Sequence, residues 1–417
     1  MSGPVAGVVG GIWVGRQAGF DSVITLDVGG TSADIGVVTG SGLAEASARD
    51  TFVAGFPIMA PMLDLATIGA GGGSIAYVDE GGAFRVGPRS AGARPGPAAY
   101  GHGGTEPTVT DALVVLGRLV PERFLGGAMR LDADAATAVV SGLAERLGLN
   151  LEATAQGVLT LLDANMANAI RGMTVERGLD PRSYSLVAFG GAGPLHAIEV
   201  ATLLEMREVI VPPFPGLSSA LGLLASDLRY DAIATEFMVE AAVDRERVRG
   251  DLRRLEAEVR DALREDGVAD GDVVVERAAD LRYVGQGYEL RVPVDPERLD
   301  DVWPAFHARH RQEYGHDVPA NPVELVAVRA TGLGRTPPPP EPAAGGGGEA
   351  RVGERDVVFG GERVPAAVVE RARLAAGDRV EGPAIVVQTD TTLVVPPGYA
   401  AIADEAGNLL VPVGERG

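Results

Sequence analysis

A carboxylate, two glycines and a hydroxyl follow one another in the segment Asp27–Asp34, DVGGTSAD. The segment lies between two apolar runs, SVITL and ADIGVV, so the pattern predicts a strand, a tight turn and a second strand. Backbone N–H groups in such a glycine turn bind phosphate oxygens without help from lysine. Asp27 would hold Mg²⁺, because that ion prefers carboxylate and phosphate oxygens. From these residues alone, an ordinary glycine hairpin with a solvated aspartate is an equally good interpretation.

A second glycine turn, Gly190–Pro194, follows the apolar run SLVAF and precedes a predicted helix that begins near Leu195. A glycine turn after a strand, with proline in the first turn of the following helix, presents the free backbone N–H groups of the helix N-terminus to a ligand, which favours an anion. The spacing is not that of the G-x-G-x-x-G dinucleotide fingerprint. Taken alone, a tight turn without a ligand is the better interpretation. His196 and His102 flank glycine segments and are the better functional candidates among the histidines.

A third glycine-rich loop, Gly69–Ser74, allows close backbone approach to a ligand, and three arginines follow it at Arg85, Arg89 and Arg94. Guanidinium groups at these positions would neutralise phosphate charge. The segment that holds them, 67–107, is rich in glycine and proline, and loops of that length in compact chains are usually functional or disordered. Strand-like alternation predicts a hairpin within it.

Other polar residues favour structural roles. Asp111 precedes an apolar helix, and capping of that helix is a better interpretation than catalysis. Asn165 lies on the apolar stripe of the clearest predicted helix, 152–177, where a buried and hydrogen-bonded amide is expected. His307 and His310 are three residues apart, but without a nearby carboxylate pattern we expect surface histidines rather than a metal site.

The composition excludes several classes of protein. The chain of 417 residues has no cysteine, and all 36 of its basic residues are arginine. Disulfides, cysteine-ligated metal sites, a Walker A phosphate loop and a Schiff-base lysine are therefore excluded. The net charge of −21 disfavours binding to nucleic acid and to anionic membranes. No apolar run approaches the roughly 20 residues that span a bilayer, and we expect a cytoplasmic protein.

Periodicity divides the chain into three folded parts and a linker. Residues 1–230 hold the glycine turns among alternating strands and helices. Residues 231–335 combine a charged amphipathic helix with strands in an α+β module. The segment 336–350, which is rich in proline and then in glycine, is a linker. The short strands and turns of 351–417 predict a small all-β domain.

The motifs, taken in order, resemble those of the hydantoinase A and 5-oxoprolinase family, which is ATP-dependent and also includes the ATP-binding subunits of acetone carboxylases. The resemblance extends from residue 2 almost to the C-terminus. It rests on the segments SGPVAGVVGG, LDVGGTSADIGVV, TIGAGGGSIAYVDEGG, RVGPRSAGARPGPAAYGHGGTEPTVTDA, NMANAIRGMTVERGLDPRSY, LVAFGGAGPLHA, VPPFPGLSSALGLLASDLRYD, RYVGQGYEL and EGPAIVVQTDTTLVVPPG.

The resemblance implies an α/β fold: an actin-like (ribonuclease H-like) nucleotide-binding lobe, similar to that of sugar kinases and heat-shock ATPases, with the α+β module and the C-terminal all-β domain. The implied catalytic residues are Asp27, Thr31 and Asp34, with Asp27 as the Mg²⁺ ligand. The residues that it assigns to ATP binding form a phosphate loop and an adenosine loop, and they are Gly29, Gly30, Thr31, Gly190, Gly191 and Gly193.

The implied activity is the ATP-dependent hydrolysis of a small cyclic amide, such as a hydantoin or 5-oxoproline. Phosphorylation of the amide carbonyl oxygen would make the carbon electrophilic, and a hydantoinase B-like subunit would add water. Members of the family are longer and begin with a further segment that carries another D-x-G-G-T loop. A polypeptide that supplies this N-terminal lobe is therefore a second expected partner.

Two alternatives use the same nucleotide-binding lobe. One is the ATP-binding subunit of an acetone-type carboxylase, which applies the same activation chemistry to a ketone. The other is a non-catalytic or regulatory member of the family that binds nucleotide without turnover. Family members often have His, Cys and Asn where this chain has Ala66, Ala98 and Leu113, and the loss of these polar side chains favours the non-catalytic alternative.

Overall fold

The computed structural model describes residues 2–39, 65–337 and 348–414, together with the short segments 42–43, 45–46, 52–53, 56–57, 62–63, 339 and 345–346. The chain forms two compact units. The first unit consists of Met1–Leu224 and Pro339–Gly417, and the second of Ala225–Pro338.

Both units contain helices and strands. The helices, in chain order, are α1 (Ser2–Gln17), α2 (Val109–Val115), α3 (Ala133–Leu147), α4 (Leu151–Met173), α5 (Gly193–Leu203), α6 (Ser218–Leu224), α7 (Arg245–Glu265) and α8 (Val302–Tyr314). The strands are β1 (Val23–Val28), β2 (Ala33–Thr39), β3 (Gly42–Leu43), β4 (Glu45–Ala46), β5 (Phe52–Val53), β6 (Phe56–Pro57), β7 (Met62–Leu63), β8 (Leu65–Ile68), β9 (Ser74–Val78), β10 (Phe84–Ser90), β11 (Ser185–Phe189), β12 (Glu208–Val211), β13 (Leu228–Val239), β14 (Val273–Tyr283), β15 (Leu290–Pro293), β16 (Val323–Gly334), β17 (Arg351–Phe359), β18 (Glu362–Glu370), β19 (Arg379–Glu381), β20 (Ala384–Val387), β21 (Thr392–Val395), β22 (Ala400–Ala403) and β23 (Leu409–Pro412).

A nine-stranded sheet forms the centre of the first unit, in the order β19-β22-β23-β12-β11-β1-β2-β3, with β8 also paired to β2. β1 and β11 are parallel neighbours, and β2 returns antiparallel to β1. The run SLVAF of β11 is buried throughout, as is typical of a strand covered on both faces. The strand, turn and strand predicted around Asp27–Asp34 are confirmed. So is the hairpin within 67–107, formed by β9 and β10.

α4 supplies much of the helical side of this core. Its side chains Leu162, Met166 and Ile170 recur every four residues and are fully buried, so the predicted helix is confirmed. The expectation of a buried amide in this helix is wrong. Asn165 is exposed, and its Nδ2 donates a long hydrogen bond of 3.4 Å to the carbonyl oxygen of Val86.

The all-β character that we expected for 351–417 is confirmed, and these C-terminal strands belong to the first compact unit. β23 pairs antiparallel with β12, and β22 and β19 extend the sheet beyond it. β17, β18, β20 and β21 form a second sheet in the same unit. The physical reason is that Val209 and Val211 of β12 are buried, so the second edge of this strand needs a neighbour for its backbone N–H and C=O groups.

The second unit is an antiparallel sheet, β13-β16-β14-β15, against which α7 packs the buried seam of Val248, Leu252, Leu255 and Val259. This is the α+β arrangement that we expected for 231–335, although the unit begins earlier, at Ala225. Within the expected linker 336–350, residues 338, 340–344 and 347 lie outside the described residues.

Two histidines of the second unit, His307 and His310, pack against Tyr283. His310 is only 2% exposed, which corrects the expectation of surface histidines. Its ring nitrogen Nδ1 lies 2.7 Å from the carbonyl oxygen of His316, and Nδ1 of His307 lies 2.8 Å from the Tyr283 hydroxyl. Among the residues that the structure describes, no group of three or more His, Asp or Glu side chains is arranged to hold a metal ion.

Candidate functional site

The two glycine turns predicted from the sequence meet at the carboxyl ends of β1 and β11. Asp27 is the register partner of Phe189, and the Ala192 N–H donates a hydrogen bond of 2.9 Å to the Val28 carbonyl oxygen. Gly190 has φ +78°, and a Cβ added there would lie 2.4 Å from Oδ1 of Asp27. Only glycine therefore allows the second turn to pass so close to the carboxylate of the first.

The third glycine loop packs on the first turn. The N–H groups of Gly72 and Gly73 donate to the carbonyl oxygens of Gly29 and Gly30, at 3.0 and 2.6 Å. Thr110 then fixes this loop from the other side, because both its N–H and its Oγ1 donate to the Gly72 carbonyl at 2.8 Å. All three glycine segments singled out in the sequence thus belong to one site.

A loop from the C-terminal part of the chain also lines this site, although the sequence patterns assigned no site residue to it. The loop joins β20 to β21. The Thr391 hydroxyl donates to the Gly191 carbonyl at 3.1 Å, and Oδ2 of Asp390 accepts from the Gly216 N–H at 2.7 Å. In the sequence, this loop is indicated by the polar run QTDTT, which follows one apolar run and precedes another; the two runs form the buried strands β20 and β21.

These loops surround a cavity of about 270 Å³ in the first unit. It is lined by polar and by apolar residues, which we call the polar wall and the apolar wall. The polar wall consists of Gly29, Gly30, Gly72, Thr110, Gly191, Gln388, Thr389, Asp390, Thr391 and Thr392. The apolar wall consists of Tyr100, Leu113, Leu119, Phe124, Leu125, Ala192 and Leu195. Such a cavity suits a ligand with an anionic or polar end and an apolar ring.

The expected catalytic side chains lie beside the cavity rather than in its walls. Asp27 stands behind Gly190, and Asp34 is its register partner across β1 and β2. Thr31 is exposed, and its hydroxyl accepts from that of Ser90 at 3.4 Å. The structure therefore brings the two aspartates together at the base of the first turn, with the hydroxyl at its outer end.

Burial and the neighbouring Asp34 carboxylate raise the pKa of Asp27 from an ordinary value of 3.8 to about 6. Asp34 itself accepts a hydrogen bond of 2.5 Å from the hydroxyl of Thr67. A divalent cation at Asp27 would relieve both the burial of its charge and the repulsion from Asp34. A carboxylate oxygen beside a glycine turn is a donor set that fits Mg²⁺.

A buried pair of side chains supports the helix that follows the second turn. His196 and Asp163 have side chains only 1% and 6% exposed, and Nδ1 of His196 lies 2.7 Å from Oδ1 of Asp163. Burial, and then the charge of Asp163, raise the pKa of Glu199 one turn further along α5. This pair ties α5 to α4, and Asp163 is a residue that the sequence analysis missed. His102, the other candidate, is exposed.

Two of the three arginines that we expected to neutralise phosphate pair with carboxylates instead. Arg85 lies 2.9 Å from Asp79, and Arg89 lies 2.8 Å from Glu106. Neither these two side chains nor that of Arg94 lines the cavity; the arginine that does so is Arg123.

Asp111 has the structural role that we expected. Its carboxylate accepts from the backbone N–H groups of Ala98, Ala99 and Thr108, and with Thr108 it forms a capping box at the start of α2. This cap fixes α2, whose Leu113 lies in the apolar wall of the cavity.

Comparison with known proteins gives the relatives of this chain. The acetone carboxylase structure described as nucleotide-free, from a study of ATP-dependent acetone carboxylation, matches with a TM-score of 0.84 and 27% identity, over 98% of this chain and 61% of that one. The caprolactamase subunit alpha of Pseudomonas jessenii is 37% identical over 97% of this chain and 60% of its own. The crystal structure of the ATP-dependent caprolactamase from that organism matches with a TM-score of 0.80, at 34% identity. 5-Oxoprolinase 1 of Arabidopsis thaliana is 32% identical over 99% of this chain and 34% of its own.

This chain therefore spans about 60% of the caprolactamase subunit and about a third of the oxoprolinase. In the part of the chain that the structure describes, none of the helices has the length and apolar character needed to cross a membrane. The hydantoinase/oxoprolinase profile matches residues 1–232, and the profile of the hydantoinase/oxoprolinase C-terminal domain matches residues 240–410. With most of its length matched, and with the α/β fold of its solved relatives, the chain belongs to the hydantoinase/oxoprolinase family.

Proposed function

We propose that this chain binds ATP with Mg²⁺ in the cavity between the two glycine turns and serves to activate the carbonyl group of a cyclic amide. The observation that carries the proposal is the meeting of Gly29, Gly30 and Gly191 around one cavity, with Asp27 directly behind. Glycine turns of this kind present backbone N–H groups to phosphate. The ATP dependence stated for the caprolactamase and the acetone carboxylase supports the same ligand.

The polar and the apolar walls of the cavity would contact different parts of the nucleotide. Gly29, Gly30 and Thr31 would bind phosphate oxygens, and the turn of Gly190, Gly191 and Gly193 would approach the nucleoside. The apolar wall, which includes Phe124 and Leu195, would cover the base and exclude water.

Asp27 is the residue that we assign to the cation. Its carboxylate, with Asp34 beside it, would hold Mg²⁺ directly or through water, and it would position the nucleophile relative to the phosphates. When bound, MgATP would supply a phosphoryl group to the carbonyl oxygen of a lactam, which leaves the carbonyl carbon electrophilic toward water. Asp27 would hold the cation next to the phosphates, and the apolar wall would keep bulk water out of the cavity.

Two partners follow from this scheme. The first is a hydantoinase B-like subunit that adds water to the activated carbonyl; the name of the caprolactamase relative, a subunit, supports such a division of labour. The second is the lobe that carries the other phosphate loop in the family that this chain resembles, whose members are longer than the region matched here. With the donors of only one loop, this chain alone would bind ATP weakly and hydrolyse it very slowly.

Two observations support the alternative functions. The TM-score of 0.84 with acetone carboxylase supports activation of a ketone by the same chemistry. Leu113 in the apolar wall, where the resemblance leads us to expect asparagine, supports a member that binds nucleotide without turnover.

Calorimetric titration of the chain with ATP in the presence of Mg²⁺ tests the nucleotide site. Asp27→Asn should remove the dependence of binding on Mg²⁺, whereas Asp21→Asn, which changes an exposed carboxylate just before β1, should not. Phosphate release measured with the partner subunits then separates the functions: stimulation by lactams or hydantoins supports the hydrolase, stimulation by acetone the carboxylase, and no stimulation the non-catalytic member. Equal binding by both variants would contradict the assignment of Asp27.

A further inference from the structure

Arg371 has a buried guanidinium beside the loop that joins β20 to β21. Only 8% of this residue is exposed. Its Nη2 donates to the carbonyl oxygens of Val211 and Gly407, at 2.9 and 3.0 Å. Val211 is the last residue of β12, and Gly407 lies in the turn between β22 and β23. The guanidinium is thereby anchored to the nine-stranded sheet.

The third partner of this guanidinium is Gln388, at the start of the loop. Nη1 of Arg371 donates to Oε1 of Gln388 at 3.1 Å, and Nε2 of Gln388 donates to the carbonyl oxygen of Pro213 at 2.6 Å. A side-chain amide has one acceptor oxygen and one donor nitrogen. Because both atoms are used, these bonds fix the orientation of the amide and tie the loop to the segment that begins at Pro213.

The segment 213–216 in turn holds the second glycine turn. The carbonyl oxygen of Pro215 accepts from the Gly190 N–H at 2.9 Å, and the Gly216 N–H donates to Oδ2 of Asp390 at 2.7 Å. Asp390 lines the cavity, as does the residue that follows Gly190. Hydrogen bonds therefore connect the buried guanidinium to the wall of the cavity.

Burial of this charge is unfavourable by itself. The three partners of the guanidinium are neutral oxygens, and a charge buried among neutral groups loses much of its solvation energy. Burial lowers the pKa of Arg371 to about 10, against the attraction of Asp390 and Asp404, so the guanidinium keeps its proton at neutral pH. Arginine suits this position because its planar fork of N–H donors reaches acceptors on three different elements.

We propose that Arg371 is a positioning residue of the candidate nucleotide site. Its guanidinium fixes Gln388, and Gln388 in turn fixes the loop 388–391 and the segment 213–216 beside the second glycine turn. The inference rests on the proposed function in one respect: the ligand that these segments position is the nucleoside of ATP.

The test measures hydrogen exchange at the N–H groups of Gly190 and Gly216 in the full chain, together with calorimetric titration with ATP and Mg²⁺. Arg371→Met removes the guanidinium, and Gln388→Met removes the amide that it fixes. Each variant should speed exchange at the two N–H groups and weaken ATP binding by about fivefold, the factor that corresponds to one hydrogen bond. The double variant should have no larger effect than either single variant, because the two residues act through the same contact.

Arg118 offers a matched control. It is 2% exposed, and its Nη2 donates to Oε1 of Gln156 at 2.9 Å and to the carbonyl oxygen of Val358 at 3.2 Å. Arg118→Met should lower the free energy of unfolding, as Arg371→Met does. It should nevertheless leave exchange at the two N–H groups within about twofold of the wild type, because local openings depend on local contacts.

The positioning role is overturned if Gln388→Met leaves exchange at both N–H groups unchanged, if Arg118→Met speeds it as much as Arg371→Met does, or if the effects of the two substitutions add in the double variant. It is also overturned if the wild type binds ATP and both single variants bind it as tightly. If exchange behaves as expected but the wild-type chain does not bind ATP, the positioning role stands and the proposed function fails.

Discussion

The hydroxyl of Thr391 donates a hydrogen bond of 3.1 Å to the carbonyl oxygen of Gly191, across a sequence separation of 200 residues. This bond joins the C-terminal loop between β20 and β21 to the turn between β11 and α5. Both residues line the cavity. The family's C-terminal domain therefore contributes directly to the shape of the candidate nucleotide site, rather than packing at a distance from it.

Loss of this bond should weaken nucleotide binding while the fold is kept. We expect Thr391→Val to reduce the affinity for ATP about three- to tenfold, because one hydrogen bond contributes on the order of 1 kcal/mol. Calorimetric titration measures the change. Thr160→Val is the matched control, since its hydroxyl bonds only within α4, to the Gln156 carbonyl at 3.0 Å and to the side chain of the same residue. An unchanged affinity in Thr391→Val would show that the loop does not shape the site.

Gly190 should tolerate no side chain. Gly190→Ala brings a Cβ within 2.4 Å of the Asp27 carboxylate at φ +78°, so both steric clash and backbone strain oppose it. We expect a loss of about 2–4 kcal/mol in the free energy of unfolding, together with loss of nucleotide binding. Urea denaturation measures the first effect.

Gly178→Ala separates the two causes. Gly178 has a similar φ of +77°, but a Cβ there would meet nothing within 4 Å. This control should lose only the strain energy, about 1 kcal/mol. If the two variants lose equal stability, the close approach of the turn to Asp27 is not a constraint on the fold.

The raised pKa of Asp27 predicts a pH dependence of stability. Between its unfolded value of 3.8 and its folded value of about 6, the folded chain keeps a proton that the unfolded chain releases, so stability falls as pH rises through this window. The asparagine in Asp27→Asn cannot ionise, so the stability of this variant does not fall with pH for this reason. The free energy of unfolding of the variant should therefore exceed that of the wild type by nearly zero below pH 4 and by at most about 3 kcal/mol above pH 6. Denaturation across this pH range measures the difference, and a constant difference would contradict it.

The buried pair of His196 and Asp163 should respond differently to changes at its two ends. His196→Ala leaves a buried carboxylate without its partner, at an expected cost of about 3–5 kcal/mol. Asp163→Asn keeps an acceptor for the ring N–H and should cost less. Urea denaturation gives both values. The reverse order would contradict this account of the pair.

Much of the site could be predicted from the sequence because its glycine turns directly follow apolar strands. Asp27 and Gly190 were found in this way, and parallel pairing of β1 with β11 brings them together. Asp163 could not be found, since a single aspartate in an amphipathic helix gives no sign of facing inward. Its burial depends on the approach of His196 from another helix.

The C-terminal contribution could not be predicted for a related reason. The run QTDTT resembles any polar turn between two strands, and long-range contacts such as the pairing of β23 with β12 bring that part of the chain to the site. Residues 351–417 have the short alternating strands of a small β domain, and edge-to-edge pairing with a distant strand leaves no local pattern.

A crystal structure of this chain soaked with a non-hydrolysable ATP analogue and Mg²⁺ tests the central claim most directly. The account predicts phosphates at the turn of Gly29 and Gly30, the nucleoside beside Gly191, and Mg²⁺ on the side of Asp27. A nucleotide bound elsewhere on the chain, or an empty cavity at millimolar analogue in a crystal whose packing leaves the cavity open, would contradict it.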